Sequence, residues 1–227
     1  MIKAVILDLD NTLYPYAPCD SAGVLSMSQS YYEITGSDEG QKFFDELLSK
    51  AKKEVKSDTS GTAASHNRLL YAQKLCEFSG CFSAENVLKL YNAYWDAFIA
   101  EMQLFEGAFG FIEDIHARNI KVGICSDLTA HIQMRKLIRL GLSDIIDAVV
   151  TSEECGAEKP AEEPFLLTLK KFGVNPSDAV MIGDDYDKDI IGAQNVGITA
   201  IQFGGADHVY HAADYEEIGR LVRGWLF

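Results

Sequence analysis

ILDLDNTLYP, residues 6–15, carries an apolar run into two carboxylates, Asp8 and Asp10, with Thr12 just beyond. Alternate residues of a strand share a face, so Asp8 and Asp10 are expected on one side, where strand gives way to loop. The run AVILDL (4–9) reads as a first strand. Four later runs have the same texture: KVGICS (121–126), DAVVT (147–151), AVMIG (179–183) and TAIQF (199–203). Nearly continuous apolar character is what strands covered by helices on both faces require. Helical stretches separate them, at 108–118, 129–140, 161–172 and 187–196, with another at 214–225 after the last strand. The pattern predicts an α/β fold, a Rossmann-like parallel sheet core.

Residues 18–104 read differently. Helical patterns cover 22–34, 40–56, 66–79 and 84–101. In the last, Val87, Leu88, Tyr91, Trp95, Phe98 and Ile99 recur at helical spacing. KSDTSGTAAS (56–65) reads as a loop between helices. The expected organisation is an α/β core of residues 1–17 and 105–227, with an all-helical module of residues 18–104 inserted after the first strand. Pro15, Pro18 and Gly107 are the turn residues near the two crossings.

With 227 residues and 48% hydrophobic content, the chain has material for such a core and insert. Twenty basic residues against 34 acidic ones give a formal charge of −14, which argues against a nucleic-acid polymer as partner. An anionic small molecule stays compatible, because a bound cation inverts local charge. Five cysteines at scattered spacings, with only Cys76 and Cys81 close together, read as reduced thiols rather than a zinc site. The N-terminal apolar run is broken at Asp8, and no stretch has the length of a membrane span. The expected setting is cytoplasmic, away from membranes.

Other predicted strands deliver polar groups to the same sheet edge as Asp8. KVGICS ends at Ser126–Asp127; AVMIG ends at Gly183–Asp184–Asp185, with Asp187 and Asp189 close behind; the loop after DAVVT carries Glu153, Glu154, Glu158 and Lys159. Open parallel sheets bind ligands outside the carboxyl ends of their strands. Anions converging there repel one another, and Mg²⁺, which takes carboxylates while keeping water and phosphate oxygens, relieves the repulsion.

In this order, Asp8-Leu9-Asp10-Asn11-Thr12, Ser126, Lys159-Pro160 and Gly183-Asp184-Asp185 with Asp189, the motifs resemble those of the haloacid dehalogenase superfamily, whose members are mostly phosphohydrolases. The resemblance covers the α/β core. The helical insert matches in placement and type the cap domain found between the first and second motifs. It implies Asp8 as the nucleophile, forming an aspartyl-phosphate, and Asp10 as the acid–base. Thr12, Ser126 and Lys159 would bind the phosphoryl group, with Lys159 also holding Asp8 ionised. Asp8, Asp184 and the main-chain carbonyl of Asp10 would bind Mg²⁺, with Asp185 and Asp189 supporting them. Asp127 either approaches this site or caps the following helix. Asp187 reads as a helix-end charge, and Glu153, Glu154 and Glu158 as solvated loop charges.

Asp10 favours phosphate-ester hydrolysis over dehalogenation, which uses one aspartate on carbon. A helical lid suits a small soluble phosphate ester. The segment 132–160 is similar to that of nucleotidases and acylneuraminate-phosphate phosphatases, which implies a nucleoside monophosphate or a sugar or sugar-acid phosphate as substrate. Sugar phosphomutase activity and non-catalytic ligand binding on the same scaffold are the alternatives. Tyr14, Tyr16 and Arg68 are the specificity candidates. The tyrosines either stack on a substrate ring or pack inside, and Arg68 either clamps a second anion or lies on the helix surface. The lysines of the insert, Lys52 among them, read as helix-surface charges.

Overall fold

The computed structural model describes residues 1–225. The five apolar runs form strands: β1 Ala4–Leu7, β2 Lys121–Ser126, β3 Ala148–Thr151, β4 Ala179–Gly183 and β5 Thr199–Phe203. A sixth, β6 His211–Ala212, is too short for its pattern to be visible in the sequence. All pair in parallel, in the order β3-β2-β1-β4-β5-β6. The chain builds outward from β1 to β3, then crosses back to β4 on the other side of β1. The reversal between β1 and β4 is a topological switch point, where such sheets open a crevice at the strand ends.

The chain forms two compact units: Met1–Pro15 with the chain from Gln103 onward, and Tyr16–Met102. The second is wholly helical. Its α1 Tyr16–Thr35 begins well before the expected residue 22. Pro18 does not delay it, because the first turn of a helix needs no amide donor there. α2 Gln41–Asp58 and a 3₁₀ turn at Ala63–His66 take up most of the expected 56–65 loop. Asn67 caps α3 Arg68–Phe78, and Ser83 caps α4 Ala84–Glu101, each through its side-chain oxygen. Val87, Leu90, Tyr94, Trp95 and Phe98 form the buried stripe of α4. Leu88 of the expected stripe is half exposed, so the helix is rotated slightly from the sequence reading. Trp95 meets Tyr94 and Phe98 edge to face.

In the first unit, α5 Ala108–Ala117 packs on β2 and α10 Tyr215–Gly224 on α5. α6 Ala130–Arg139, the short α7 Ser152–Cys155 and α8 Glu162–Phe172 lie between β2 and β4 in the chain. Ala4 and Ile6 of β1 pack in one cluster with Phe165, Leu169 and Phe172 of α8 and with Ile190 and Ala193. Burying a side chain of the Ile, Leu or Phe kind contributes roughly 1.5–3 kcal/mol, so this sandwich holds the strand ends in fixed register. The helix expected at 187–196 divides into a π-helical turn, Tyr186–Ile191, and α9 Gly192–Asn195.

Candidate active site

Leu7, the last residue of β1, lies opposite Ile182, one residue before the end of β4, and the Asp8 amide donates to the Ile182 carbonyl at 2.9 Å. Asp8 and Asp184 therefore leave adjacent strands side by side at the switch point. β2, on the other flank of β1, runs further and ends at Ser126. The sheet thus brings three sequence-distant groups to one edge.

Lys159 arrives from the loop after α7 and is buried. Its Nζ donates to Asp8 Oδ1 at 2.7 Å and to Asp189 Oδ1 at 2.5 Å. Asp127 fastens this loop: one carboxylate oxygen accepts the Lys159 amide at 3.0 Å and the other accepts Lys188 Nζ at 2.9 Å. Asp127 thus supports the site and does not cap the following helix, where Thr129 stands at the N-cap without a side-chain bond. Asp189 Oδ2 accepts the Asp185 amide at 3.1 Å. The Asp185 carboxylate in turn accepts the amides of Asp187 and Lys188, so it caps the π turn.

Thr12 Oγ1 lies 3.5 Å from Asp8 Oδ2, and the Thr12 carbonyl accepts the Tyr215 hydroxyl at 2.7 Å. Ser126 Oγ accepts from Gln133 Nε2 at 2.9 Å. The Asp127 carbonyl accepts from the same amide nitrogen at 2.7 Å, which fixes the orientation of the amide. With its oxygen accepting, the Ser126 hydroxyl has its proton to donate.

Carboxylate oxygens of Asp8, Asp184 and Asp189 lie within 4.8 Å of one another, the one such cluster among the described residues. Burial pushes Asp8 up, Asp184 up to about 6 and Asp189 up to about 7, with the Asp8 charge adding to the last two. Burial works against the Lys159 ammonium, but Asp189 and Asp8 outweigh it and raise Lys159 well above its ordinary value. With all three ionised, the carboxylates exceed the one ammonium by two negative charges, and an all-oxygen donor set of that charge fits Mg²⁺. Both oxygens of Asp189 are engaged, one by the Lys159 ammonium and the other by the Asp185 amide.

A family model, haloacid dehalogenase-like hydrolase, matches residues 2–197. The chain belongs to the haloacid dehalogenase-like hydrolases. Over 204 residues this hydrolase is 43% identical to the ribulose-1,5-bisphosphate 5-phosphatase of Halopiger xanaduensis, covering 89% of this chain and 85% of that protein. Over 201 residues it is 29% identical to the glyceraldehyde 3-phosphate phosphatase of Methanothermobacter thermautotrophicus, covering 88% and 85%. Its fold is like that of the 2-haloacid dehalogenase from Pseudomonas syringae pv. Tomato DC3000, with a TM-score of 0.80 at 23% identity over 99% of this chain and 100% of that one.

One buried residue beside the site of this hydrolase has no place among the motif residues. Lys136, on α6, is fully buried, and its Nζ donates to Asp10 Oδ1 at 2.6 Å. In the structure Lys136 and Gln133 share the buried face of α6 with Ile132 and Leu137. Tyr14 is also fully buried and donates to the same Asp10 oxygen at 2.5 Å.

In the helical unit of the hydrolase, Arg68 is 8% exposed and not on the helix surface. It donates to the His66 carbonyl and to the hydroxyls of Tyr16 and Tyr94, and Asp20 lies 3.6 Å away. Tyr16 also donates to Asp20 at 3.1 Å and meets Phe98 edge to face. Lys52, expected at the surface, is half-buried in the wall of a cavity of about 510 Å³ lined also by Asp20, Ser21, Gln41, Asp45 and Ser49. No helix among the described residues is long and apolar enough to cross a membrane.

Proposed function

We propose that this hydrolase removes phosphate from a small phosphorylated sugar, with Asp8 as nucleophile and Asp10 as acid–base. The protein is a phosphoric monoester hydrolase; the substrate and mechanism are our reading. The observation that carries it is the Lys159 ammonium lying between Asp8 and Asp189, at 2.7 and 2.5 Å, beside Asp184 at the switch point.

Lys159 orients Asp8 so that its other oxygen faces the phosphoryl group. As the Asp8–phosphorus bond forms, the ester bond breaks and Asp10 gives a proton to the departing oxygen. Asp10 then takes a proton from water, which attacks phosphorus and releases Asp8. Ser126, Thr12 and Lys159 donate to the phosphoryl oxygens throughout, and such preorganised donors are worth most in a site of low dielectric. Asp8, Asp184 and the Asp10 carbonyl would hold Mg²⁺, which would neutralise charge on the phosphoryl oxygens.

The sugar reading is supported by the relatives named for ribulose 1,5-bisphosphate and glyceraldehyde 3-phosphate. Tyr16 and Arg68 shape the helical unit from inside.

Phosphate release with Mg²⁺, measured across sugar phosphates, sugar bisphosphates, sugar-acid phosphates and nucleoside monophosphates, tests this. A sugar phosphate or bisphosphate turned over best, with loss of turnover in Asp8→Asn, is the expected result. Positional isomers formed without free phosphate would establish a mutase instead. Metal binding without turnover across the panel would leave a ligand-binding protein.

A further inference from the structure

Each acid of the Asp8-Leu9-Asp10 motif has its own buried lysine. Lys159 serves Asp8; Lys136 serves Asp10 at 2.6 Å. The Asp10 oxygen that takes Lys136, Oδ1, also takes the Tyr14 hydroxyl at 2.5 Å, and the Lys136 ammonium sits 5.6 Å from the centre of the Tyr14 ring. Lys136 is 0% exposed, whereas the Asp10 side chain is 32% exposed. An ammonium with no solvent is tolerated only beside a counter-charge. The three groups come from one compact unit.

We propose that Lys136, with Tyr14, is the positioning pair for the proton transfer by Asp10. This rests on the proposed reaction, in which Asp10 is the acid–base. Two donors converging on Oδ1 lock the side-chain rotamer and present Oδ2 to the leaving oxygen. When the ester bond breaks, the proton passes from Asp10 to that oxygen and the electron pair of the O–H bond stays on the carboxylate. The negative charge so formed lies beside the Lys136 ammonium. The attraction therefore strengthens along the step, which is the condition for accelerating it.

The test compares two leaving groups. p-Nitrophenolate departs without a proton, whereas the alkoxide of glycerol 3-phosphate needs one. In Lys136→Met, single-turnover cleavage of glycerol 3-phosphate is expected to fall about 100-fold, while the nitrophenol burst changes by less than about threefold, in keeping with the worth of general acid catalysis. Tyr14→Phe keeps the cation and removes one anchor, so it should show the same selectivity with a loss of about tenfold. It decides the matter if Lys136→Met does not fold. Equal loss for both esters, or loss for neither, overturns the proposal. Failure of the underlying reading looks different: the unsubstituted protein would release phosphate from neither ester, or Asp8→Asn would retain turnover.

Discussion

Gly183 and Asp189 share one space: a methyl group on Gly183 would fall 2.3 Å from the Asp189 carboxylate carbon. The end of β4 lacks a side chain so that this carboxylate can lie against the strand and hold Lys159. Gly183→Ala must push Asp189 away. Overpacking of this kind costs about 1–3 kcal/mol, and the displaced carboxylate no longer holds Lys159. Thermal denaturation should show the stability loss, and phosphatase assays should show at least a tenfold fall in kcat.

Lys159→Met leaves Asp8 and Asp189 buried without their cation. Removing one partner of a buried pair costs about 3–5 kcal/mol, and loss of a donor to the transferring group costs about 10²–10³ in kcat. The stability loss has a defined pH dependence. Burial already holds the folded-state Asp189 up at about 7, against an ordinary 3.8. Folding therefore favours its protonated form, and the cost of the ionised form grows as pH rises through that window. Urea denaturation in EDTA should show Lys159→Met losing more at pH 8 than at pH 5.5.

On the proposed reading, Asp184 would make Mg²⁺ binding pH-dependent. Burial, then the Asp8 charge, lifts it from 3.8 to about 6. In the metal-free protein the ionised form costs stability that is absent below 3.8 and fully present above about 6. Mg²⁺ takes the ionised form, so it should raise Tm clearly at pH 7.5 and little at pH 5. At a hundredfold excess over Kd the stabilisation is about 2.7 kcal/mol. Asp184→Asn should abolish the Mg²⁺ shift at both pH values.

Arg68 anchors the helical unit. Burial works against its charge, and the oxygens of Tyr94, Tyr16 and Asp20 outweigh that and raise its pKa. Its Nε has no hydrogen-bond partner, so the guanidinium is held by its two terminal nitrogens and by the faces of Tyr71, Tyr94 and Trp95. Arg68→Leu should cost on the order of 2 kcal/mol in urea denaturation, the range for hydrogen bonds to charged groups. Arg68→Lys should recover little of it, because an ammonium reproduces neither the planar fork nor the stacking.

The sequence by itself determined where the parallel strands end. A strand buried on both faces must be apolar along its length, so polar residues at 8, 126 and 184 mark its exit, and the order of these marks carries the family resemblance. It determined the helical insert too, because the 3.6-residue period is local. Only the tertiary structure decided what the buried cations do. Lys136 and Arg68 look like helix-surface charges in the sequence, since their partners, Asp10 and the oxygens of Tyr16, Asp20 and Tyr94, are remote along the chain. The two-residue β6 and the π turn that brings Asp189 to Lys159 were equally invisible. The first is too short for a period, and the second arises from Asp185 capping the turn while Asp189 accepts the Asp185 amide. Local periodicity is written residue by residue, whereas the neutralisation of a buried charge depends on which distant group the fold places beside it.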